Sequence, residues 1–219
     1  MYDSDGYLTQ MIDHDDRTTT FQYDEDGRII EVYYPEHPEN SFIINAYDML
    51  DRVSQQTDAN GNTYSYFYTG FRSEEVNPLG YSWVWHFDKN GKTISKTDPL
   101  GMEIQYEYDN DNRLVSEIHP NDARWEYDYD SNGNLAKISD PSGAQQIMAY
   151  DESNRLIAYT DARGNQTTYA YDAKGNLIRI ISPEATHIDI SYNNKGQSEA
   201  ITGSEGKIVS FSYDEQGNL

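Results

Sequence analysis

The chain has 219 residues, no cysteine and a formal net charge of −22, with 38 acidic against 16 basic side chains. Lack of cysteine excludes disulfides and thiolate metal sites. The strong negative charge argues against nucleic acid and against insertion into or adhesion to anionic membranes, because these partners need clustered Lys and Arg. It favours solubility and a basic partner. The length is sufficient for a sizeable hydrophobic core.

No signal-peptide pattern follows Met1, and no apolar run reaches the ~18 residues of a membrane helix. Instead, an aromatic residue followed by a turn sequence recurs throughout, at Tyr2, Tyr23, Tyr47, Tyr68, Phe87, Tyr108, Tyr129, Tyr150, Tyr171, Tyr192 and Tyr213. From Phe87 onward every step is 21 residues, and the earlier steps are 21, 24, 21 and 19. A fixed period of this size indicates a repeat architecture.

The period runs through residues 1–219 without a linker, so we expect one repeat array. The repeat is in register at both ends of the chain, which favours a fragment of a longer array or an engineered, idealised one. A single repeat buries too little apolar surface to offset its backbone entropy, so each repeat should depend on its neighbours.

Each repeat predicts a first turn directly after the aromatic residue, with Asp at its first position and Gly at its fourth, as in 24–27, 88–91, 130–133 and 172–175. The Asp side chain caps a type I turn, and Gly adopts positive φ without a steric penalty. Asp51, Asn112 and Asn154 replace this Gly and also tolerate positive φ. Arg72 alone departs from the rule.

A second turn lies 10 or 11 residues later, at 77–80, 98–101, 140–143 and 161–164, often with proline at its second position. Two irregularities interrupt the series. A longer loop at 34–40 replaces the second turn in the 24-residue step. In the 19-residue step, Thr69-Gly70 predicts a tighter two-residue hairpin.

Between the turns, apolar and polar residues alternate, as in Trp125 and Tyr127 against Glu126 and Asp128. This period of two indicates half-buried antiparallel strands. After the first turn, apolar residues such as Leu135 and Ile138 are three apart, which predicts a bulge or a leucine packed from the turn. The fold class is therefore all-β, an antiparallel meander of about 20 short strands without helices.

No group of side chains converges on catalysis or metal binding. The five histidines, His14, His37, His86, His119 and His187, have no partner at metal-ligand spacing. The run from Asp128 to Gly133 resembles the start of a calcium loop, but its twelfth position is Ser139 and not the required Glu. We predict no catalytic, cofactor-binding or metal residues, no cofactor and no enzyme activity.

The aromatic columns allow two interpretations. Cross-strand stacking within the sheet explains their register, whereas a binding surface for glycan or protein would use the same rings. A binding site is expected where the repeat is broken, which directs attention to Trp83, Trp85 and the loop at 35–40.

The motif Tyr-Asp-x-x-Gly-(Arg/Asn)-Leu followed by Asp-Pro-x-Gly, best seen from Tyr129 to Gly143 and from Tyr171 to Leu177, resembles the YD repeat of the Rhs family. This repeat is shared with the B and C components of insecticidal toxin complexes, bacterial wall-associated proteins and teneurins. The resemblance covers the whole chain. It implies a curved β-sheet that spirals into a hollow shell, of which this chain would be a part. In that family the shell encloses a C-terminal toxin domain or forms a barrel in a cell-surface receptor.

The resemblance also implies a function and a location. We expect a structural segment of an Rhs-type shell that encapsulates and helps to deliver a toxin, with the cargo, the remaining repeats and secretion-system components as partners. The protein would be bacterial and secreted or at the cell surface, and cytoplasmic before delivery. The alternative is a cell-surface adhesion or binding module that contacts glycan or protein through its aromatic rows. The conserved Asp-containing region with which bacterial shells cut their toxin free has no match here.

Overall fold

The computed structural model describes residues 1–36 and 40–219, with the backbone alone at 207 and 208. Its regular elements are β-strands joined by turns, as the alternation predicts. Within this part of the chain there is no helix that could cross a membrane. The chain divides into two compact units, Met1–Tyr106 and Glu107–Leu219.

The first unit is an antiparallel meander in which each strand pairs with the next. Its strands are β1 (Gln10–Ile12), β2 (Thr18–Tyr23), β3 (Ile29–Tyr33), β4 (Ile43–Tyr47), β5 (Val53–Asp58), β6 (Thr63–Thr69), β7 (Arg72–Val76), β8 (Ser82–Phe87), β9 (Thr93–Thr97) and β10 (Glu103–Tyr108). The last two residues of β10 belong to the second unit.

The second unit repeats the same arrangement, again with consecutive antiparallel pairs. Its strands are β11 (Leu114–Ile118), β12 (Arg124–Tyr129), β13 (Leu135–Ser139), β14 (Gln145–Tyr150), β15 (Leu156–Thr160), β16 (Gln166–Tyr171), β17 (Leu177–Ile181), β18 (His187–Tyr192), β19 (Ser198–Gly203) and β20 (Gly206–Ser210). The predicted all-β meander of about 20 strands is confirmed.

The two faces of the sheet differ in burial. On β12, Trp125, Tyr127 and Tyr129 are half-buried, whereas Glu126 and Asp128 on the other face are exposed. Successive side chains of a strand point to opposite sides, so the alternation in sequence becomes an aromatic side and a charged side. We call these the tyrosine face and the charged face.

The expected bulge is present after seven of the first turns. Asp128 pairs with Lys137 but Tyr129 pairs with Leu135, so Ala136 is an extra residue on β13. The bulge shifts the parity of the strand, which places both Leu135 and Ile138 opposite aromatic residues of the tyrosine face. The same extra residue occurs at Ile30, Ser54, Ile94, Ile157, Ile178 and Glu199.

The hairpin of the 19-residue step is tighter than the others, but its turn is not the predicted one. Thr69 pairs with Arg72, so the two turn residues are Gly70 and Phe71, not Thr69 and Gly70. Gly70 has a φ of 57°, which glycine adopts at little cost. This hairpin also lacks the bulge. One residue is lost from the turn and one from the bulge, so the tyrosine face continues in phase.

The described residues do not form the sizeable core that the chain length allows. No described hydrophobic side chain is buried, and the buried residues are Thr19, Ser95, Ser116 and Ser139. Within each unit, the described strands in contact are neighbours in sequence, so these strands form one layer. Apolar side chains are therefore shielded from water only by the side chains of adjacent strands in the same sheet, and each keeps part of its surface exposed.

Candidate functional site

The first turn of each repeat is organised by its aspartate. Asp109 Oδ1 accepts hydrogen bonds from the backbone N–H groups of Asp111 and Arg113, both at 2.9 Å. Its Oδ2 accepts a further bond from Arg113 Nε at 2.8 Å. The hydrogen bond from the backbone N–H of Arg113 is the main cause that lowers the pKa of Asp109. Desolvation opposes it by a smaller amount, and the hydrogen bond from the Arg113 side chain lowers the pKa further. The carboxylate is thus kept charged.

The residue after the turn glycine connects one repeat to the next. Arg113 Cζ lies 4.7 Å from the ring centroid of Tyr129, while its Nε remains bound to Asp109. The same placement over the next tyrosine joins Arg28 to Tyr47, Arg52 to Tyr68 and Arg155 to Tyr171. A guanidinium over an aromatic face is attractive through the ring quadrupole.

The tyrosine hydroxyl completes this connection. Tyr129 Oη donates to the backbone carbonyl of Leu114 at 2.9 Å, 15 residues earlier. The same bond to a backbone carbonyl 15 residues earlier is made by Tyr23, Tyr68, Tyr150, Tyr171 and Tyr192. We call the turn Asp, the Arg or Asn four residues later and the next tyrosine the turn ladder.

The turn ladder gives most letters of the repeat motif a physical role, and that role is structural. Tyr binds the previous repeat, Asp caps its own turn, Gly provides positive φ, and Arg or Asn returns to the Asp. Where the fifth position is Asn, as in Asn134, its Nδ2 donates to Asp130 at 3.0 Å and to Asn154 of the next turn at 2.8 Å. The recurring Arg or Asn after the glycine was the available sequence signal for this ladder.

The two tryptophans lie on the tyrosine face of the first unit, and a cation covers them. Lys96 Nζ lies 4.6 Å from the ring centroid of Trp83 and 5.6 Å from that of Trp85. Tyr66 and Trp83 both pair with Glu75 across the strands. Burial, with a smaller contribution from Glu75, raises the pKa of Tyr66. A ligand ring would have to displace Lys96 to stack on the tryptophan faces.

The candidate binding loop at 35–40 is described only in part, because His37, Pro38 and Glu39 lie outside the described residues. The other histidines lie apart along the chain. His119 Nε2 is 3.0 Å from Glu117 Oε1, and His187 Nε2 is 3.6 Å from Asp189 Oδ2. These are single pairs on separate strands and turns, and they bring no further ligand together.

The described residues contain one group with metal-ligand proximity, the exposed Asp13, His14 and Asp15. Arg17 contacts both carboxylates at 3.0 Å, so a cation of the chain already occupies this cluster. In the run that resembles a calcium loop, Asp130 caps its turn and Asp128 contacts Lys137 Nζ at 2.5 Å. The two carboxylates have separate partners.

A groove of about 500 Å³ lies on the charged face of the first unit, beside the short hairpin. We call it the hairpin groove. It is lined by the turn residue Phe71, the bulge residue Ile94 and the residues Arg72, His86, Phe87, Ser95, Glu103 and Gln105. Phe71 is 62% exposed and Ile94 41% exposed. The sequence indicated this part of the chain through its broken period, but it did not reveal the groove.

The polar groups of the groove form a connected set. The Ser95 hydroxyl is the main cause that lowers the pKa of Glu103, followed by the Gln105 side chain. Gln105 Nε2 lies 3.1 Å from Glu103 Oε2, and His86 Nδ1 lies 3.2 Å from Ser95 Oγ. The Ser95 hydroxyl therefore lies between the His86 imidazole and the Glu103 carboxylate.

This order differs from that of a nucleophilic triad. There, the carboxylate holds the imidazole and the imidazole takes the serine proton. Here, the serine lies between the acid and the imidazole, and it is only 7% exposed.

A single-layered antiparallel meander whose repeats are joined by a turn ladder defines the chain as a YD-repeat sheet protein. The Teneurin YD-shell model matches residues 87–219, more than half of the sequence, and the RHS repeat model matches residues 2–38. The chain belongs to the Teneurin YD-shell family. The family that its motifs resemble is thus confirmed.

Individual proteins match over shorter stretches. The tRNA nuclease WapA of Bacillus subtilis (strain 168) is 32% identical over 102 residues, 46% of this chain and 4% of that protein. The probable deoxyribonuclease RhsA of Dickeya dadantii (strain 3937) is 27% identical over 102 residues, 45% of this chain and 7% of that protein. The chain thus spans a small fraction of the length of these relatives.

The fold also recurs in a solved structure. The crystal structure of TcdB2-TccC3-TEV matches 99% of this chain with a TM-score of 0.65 and 16% identity. The match covers 15% of that chain. At this identity, the comparison supports the fold class.

Proposed function

We propose that this chain is a wall segment of a larger Rhs-type shell that encloses a toxin cargo and helps to deliver it. The single observation that carries the proposal is the one-layered sheet, in which consecutive strands pair and no described hydrophobic side chain is buried. Such a sheet separates two sides without a core of its own. Membership of the YD-shell family gives that wall its context.

The partners follow from this role. They are the remaining repeats of the same array, the cargo domain and components of a secretion machinery, and the location is bacterial, secreted or at the cell surface. The names of the relatives support a nuclease-type cargo, because WapA is named a tRNA nuclease and RhsA a probable deoxyribonuclease. The segment itself serves as a scaffold and contributes no catalytic group.

The adhesion alternative stays a prediction. On the tyrosine face it meets an obstacle, because Lys96 lies over both Trp83 and Trp85. A glycan-array signal abolished by Trp83→Ala would favour it.

Limited proteolysis of the full-length protein that carries these repeats tests the shell proposal. The cap variant replaces Asp109, Asp130, Asp151 and Asp172 by Ala, which removes the side-chain acceptors of four consecutive first turns. We expect the cargo domain to resist protease in the wild type and to become cleavable in the cap variant.

The matched control replaces three exposed turn residues next to these aspartates by Ala, namely Asn110, Ser131 and Glu152. This variant should protect the cargo as the wild type does. Cleavage of the cargo at the same rate in wild type, cap variant and control would contradict encapsulation.

A further inference from the structure

We propose that Asn60 is a site of spontaneous deamidation, which places aspartate or isoaspartate in one hairpin turn of the first unit. Asn60 and Gly61 are the third and fourth residues of the turn between β5 and β6. Asn precedes Gly in three turns of the chain, at 58–61, 88–91 and 130–133. The structure distinguishes the three turns, because it restrains Asn60 least. The site does not depend on the shell proposal.

The reaction uses atoms of the chain and solvent water. The backbone nitrogen of Gly61 attacks Cγ of Asn60, the Cγ–Nδ2 bond breaks, and ammonia leaves with the proton of the Gly61 N–H. Water then opens the succinimide ring. Opening at Cγ gives aspartate, and opening at the backbone carbonyl gives isoaspartate, whose main chain runs through Cβ and Cγ. Glycine favours the attack because it has no Cβ and its backbone rotates freely.

The closed turn slows this attack. The Gly61 N–H donates to the Asp58 carbonyl at 2.9 Å, so the attacking nitrogen is already engaged. Asp58 Oδ1 also accepts the backbone N–H groups of Asn60 and Asn62, at 2.8 and 2.9 Å. The turn has to open before the nitrogen can reach Cγ, so the rate depends on how firmly the turn is held.

Neighbouring repeats hold the turn at 130–133 on both sides. Asn134 Nδ2 donates to Asn154 Oδ1 of the next first turn at 2.8 Å. On the other side, Arg113 Nη1 lies 3.5 Å from the position that a Cβ atom would take at Gly133. At Gly61, a Cβ atom would meet none of the described atoms within 4 Å. The turn at 58–61 therefore opens more easily than the turn at 130–133.

The side chain of Asn60 is also less restrained than that of Asn90. The backbone N–H of Lys92 is the main cause that lowers the pKa of Asp88, and a side-chain hydrogen bond from Asn90 lowers it further. This bond holds the Asn90 amide. Asn60 is exposed, and its amide makes no hydrogen bond within the part of the chain that the structure describes. Its Cγ is thus free to rotate toward the attacking nitrogen.

Deamidation changes the hairpin of β5 and β6 in a defined way. Isoaspartate adds a carbon atom to the main chain before Gly61, so the Gly61 N–H no longer fits the bond to the Asp58 carbonyl. Either product places a second carboxylate close to Asp58, on a chain whose net charge is already −22. This hairpin should loosen with age while the turns at 88–91 and 130–133 keep their structure.

The test incubates the 219-residue chain in mildly alkaline buffer and measures aspartate and isoaspartate at each site by peptide mapping and mass spectrometry. Three short peptides with the same local sequences give the rates without a fold. We expect the ratio of protein rate to peptide rate to be at least about fivefold higher at Asn60 than at Asn132, a factor that corresponds to one net hydrogen bond. The ratio should also be higher at Asn60 than at Asn90.

Asp58→Ala removes the cap of this turn and should raise the rate at Asn60 toward that of its peptide, with unchanged rates at Asn90 and Asn132. Asp98→Ala is the matched control, because Asp98 caps a second turn that has no Asn. It should leave the rate at Asn60 unchanged. If Asp58→Ala unfolds the chain, all three sites accelerate and the wild-type ratios decide. A wild-type ratio at Asn60 no higher than at the other two sites would overturn the proposal.

Discussion

Ser95 and Ser116 occupy the same position in successive repeats, but their hydroxyl groups differ in their partners. Ser95 is 7% exposed and contacts His86 Nδ1 at 3.2 Å. Ser116 is fully buried, and its hydroxyl has no hydrogen-bond partner within the described part of the chain. A buried hydroxyl without a partner has lost its hydrogen bonds to water and has gained none within the protein, which destabilises the folded state.

Ser116→Ala should therefore raise the free energy of unfolding by about 1 kcal/mol, and Ser95→Ala should lower it by a similar amount. Urea denaturation followed by circular dichroism measures both changes. Equal destabilisation by the two substitutions would mean that Ser116 has a partner after all.

Ala185 is the turn residue with an unfavourable backbone, because its φ of 60° lies where a Cβ atom is strained. Ala185→Gly should relieve this strain and stabilise the chain by about 1 kcal/mol. Ala162, in the equivalent type of turn, is the control, and Ala162→Gly should destabilise by about 0.5–1 kcal/mol through backbone entropy. The midpoints of urea denaturation should move in opposite directions; movement in the same direction would contradict the role of φ.

At the scale of the element, the turn ladder should set the stability of each hairpin. Tyr150 Oη donates to the Leu135 carbonyl at 3.0 Å, and Tyr150→Phe removes this bond alone. We expect a loss of about 1 kcal/mol in unfolding free energy. Amide hydrogen exchange should accelerate most in β13 and β14, which the bond connects.

The control for this change is Tyr81→Phe, because Tyr81 is 54% exposed on a turn and its hydroxyl bonds to nothing in the described residues. It should leave both the stability and the exchange pattern unchanged. Uniform acceleration across all strands after Tyr150→Phe would show that the ladder acts on the whole array and not on one hairpin.

Local rules explain why most of the fold could be predicted from the sequence. The positive φ expected at Asp51, Asn112 and Asn154 is present, at 60°, 65° and 60°. These features, like the bulge at Ala136, depend on a few adjacent residues, and the repeat shows them many times.

The features that sequence reasoning missed depend on residues far apart in the chain. The hydroxyl of Tyr129 finds a carbonyl 15 residues away, and the hairpin groove joins Phe71 to Gln105. The turn at Gly70-Phe71 was displaced by one residue because the strand pairing of Thr69 with Arg72 decides the turn, not the turn sequence alone. The lack of buried apolar side chains depends on layering, which a strand pattern does not specify.

For the whole molecule, the many aspartate caps predict sensitivity to acid. Hydrogen bonds to their carboxylates lower the pKa values of Asp58, Asp130, Asp151 and Asp172, among others, below 3.8. Stability from a lowered carboxyl pKa is complete above the unfolded value, and it is lost as the pH falls through the folded values. The thermal midpoint should therefore fall steeply below about pH 4.

Asn193 provides the control for this effect. Its amide oxygen accepts the backbone N–H groups of Lys195 and Gln197 at 2.9 and 3.0 Å, as the aspartates do, but it does not titrate. A variant with Asp58, Asp130 and Asp172 replaced by Asn should lose less stability between pH 5 and pH 3. Identical pH profiles of variant and wild type would show that the aspartate caps do not cause the acid sensitivity.

Salt should act in the opposite sense at neutral pH. With a net charge of −22, the folded chain repels itself, and the Debye length falls from about 10 Å at 0.1 M salt to about 3 Å at 1 M. We expect the thermal midpoint at pH 7 to rise with sodium chloride. A midpoint that falls would mean that the ion pairs of the charged face outweigh the repulsion.

The lack of buried hydrophobic side chains among the described residues has a calorimetric consequence. The accessible surface is 14739 Å², whereas a compact protein of this mass exposes about 10,300 Å². Unfolding thus hydrates less new apolar area per residue, so the heat-capacity increment should lie below the usual ~12–15 cal/mol/K per residue. The curve of unfolding free energy against temperature is correspondingly flat. A sheet built in this way therefore keeps a nearly constant stability over a wide range of temperatures.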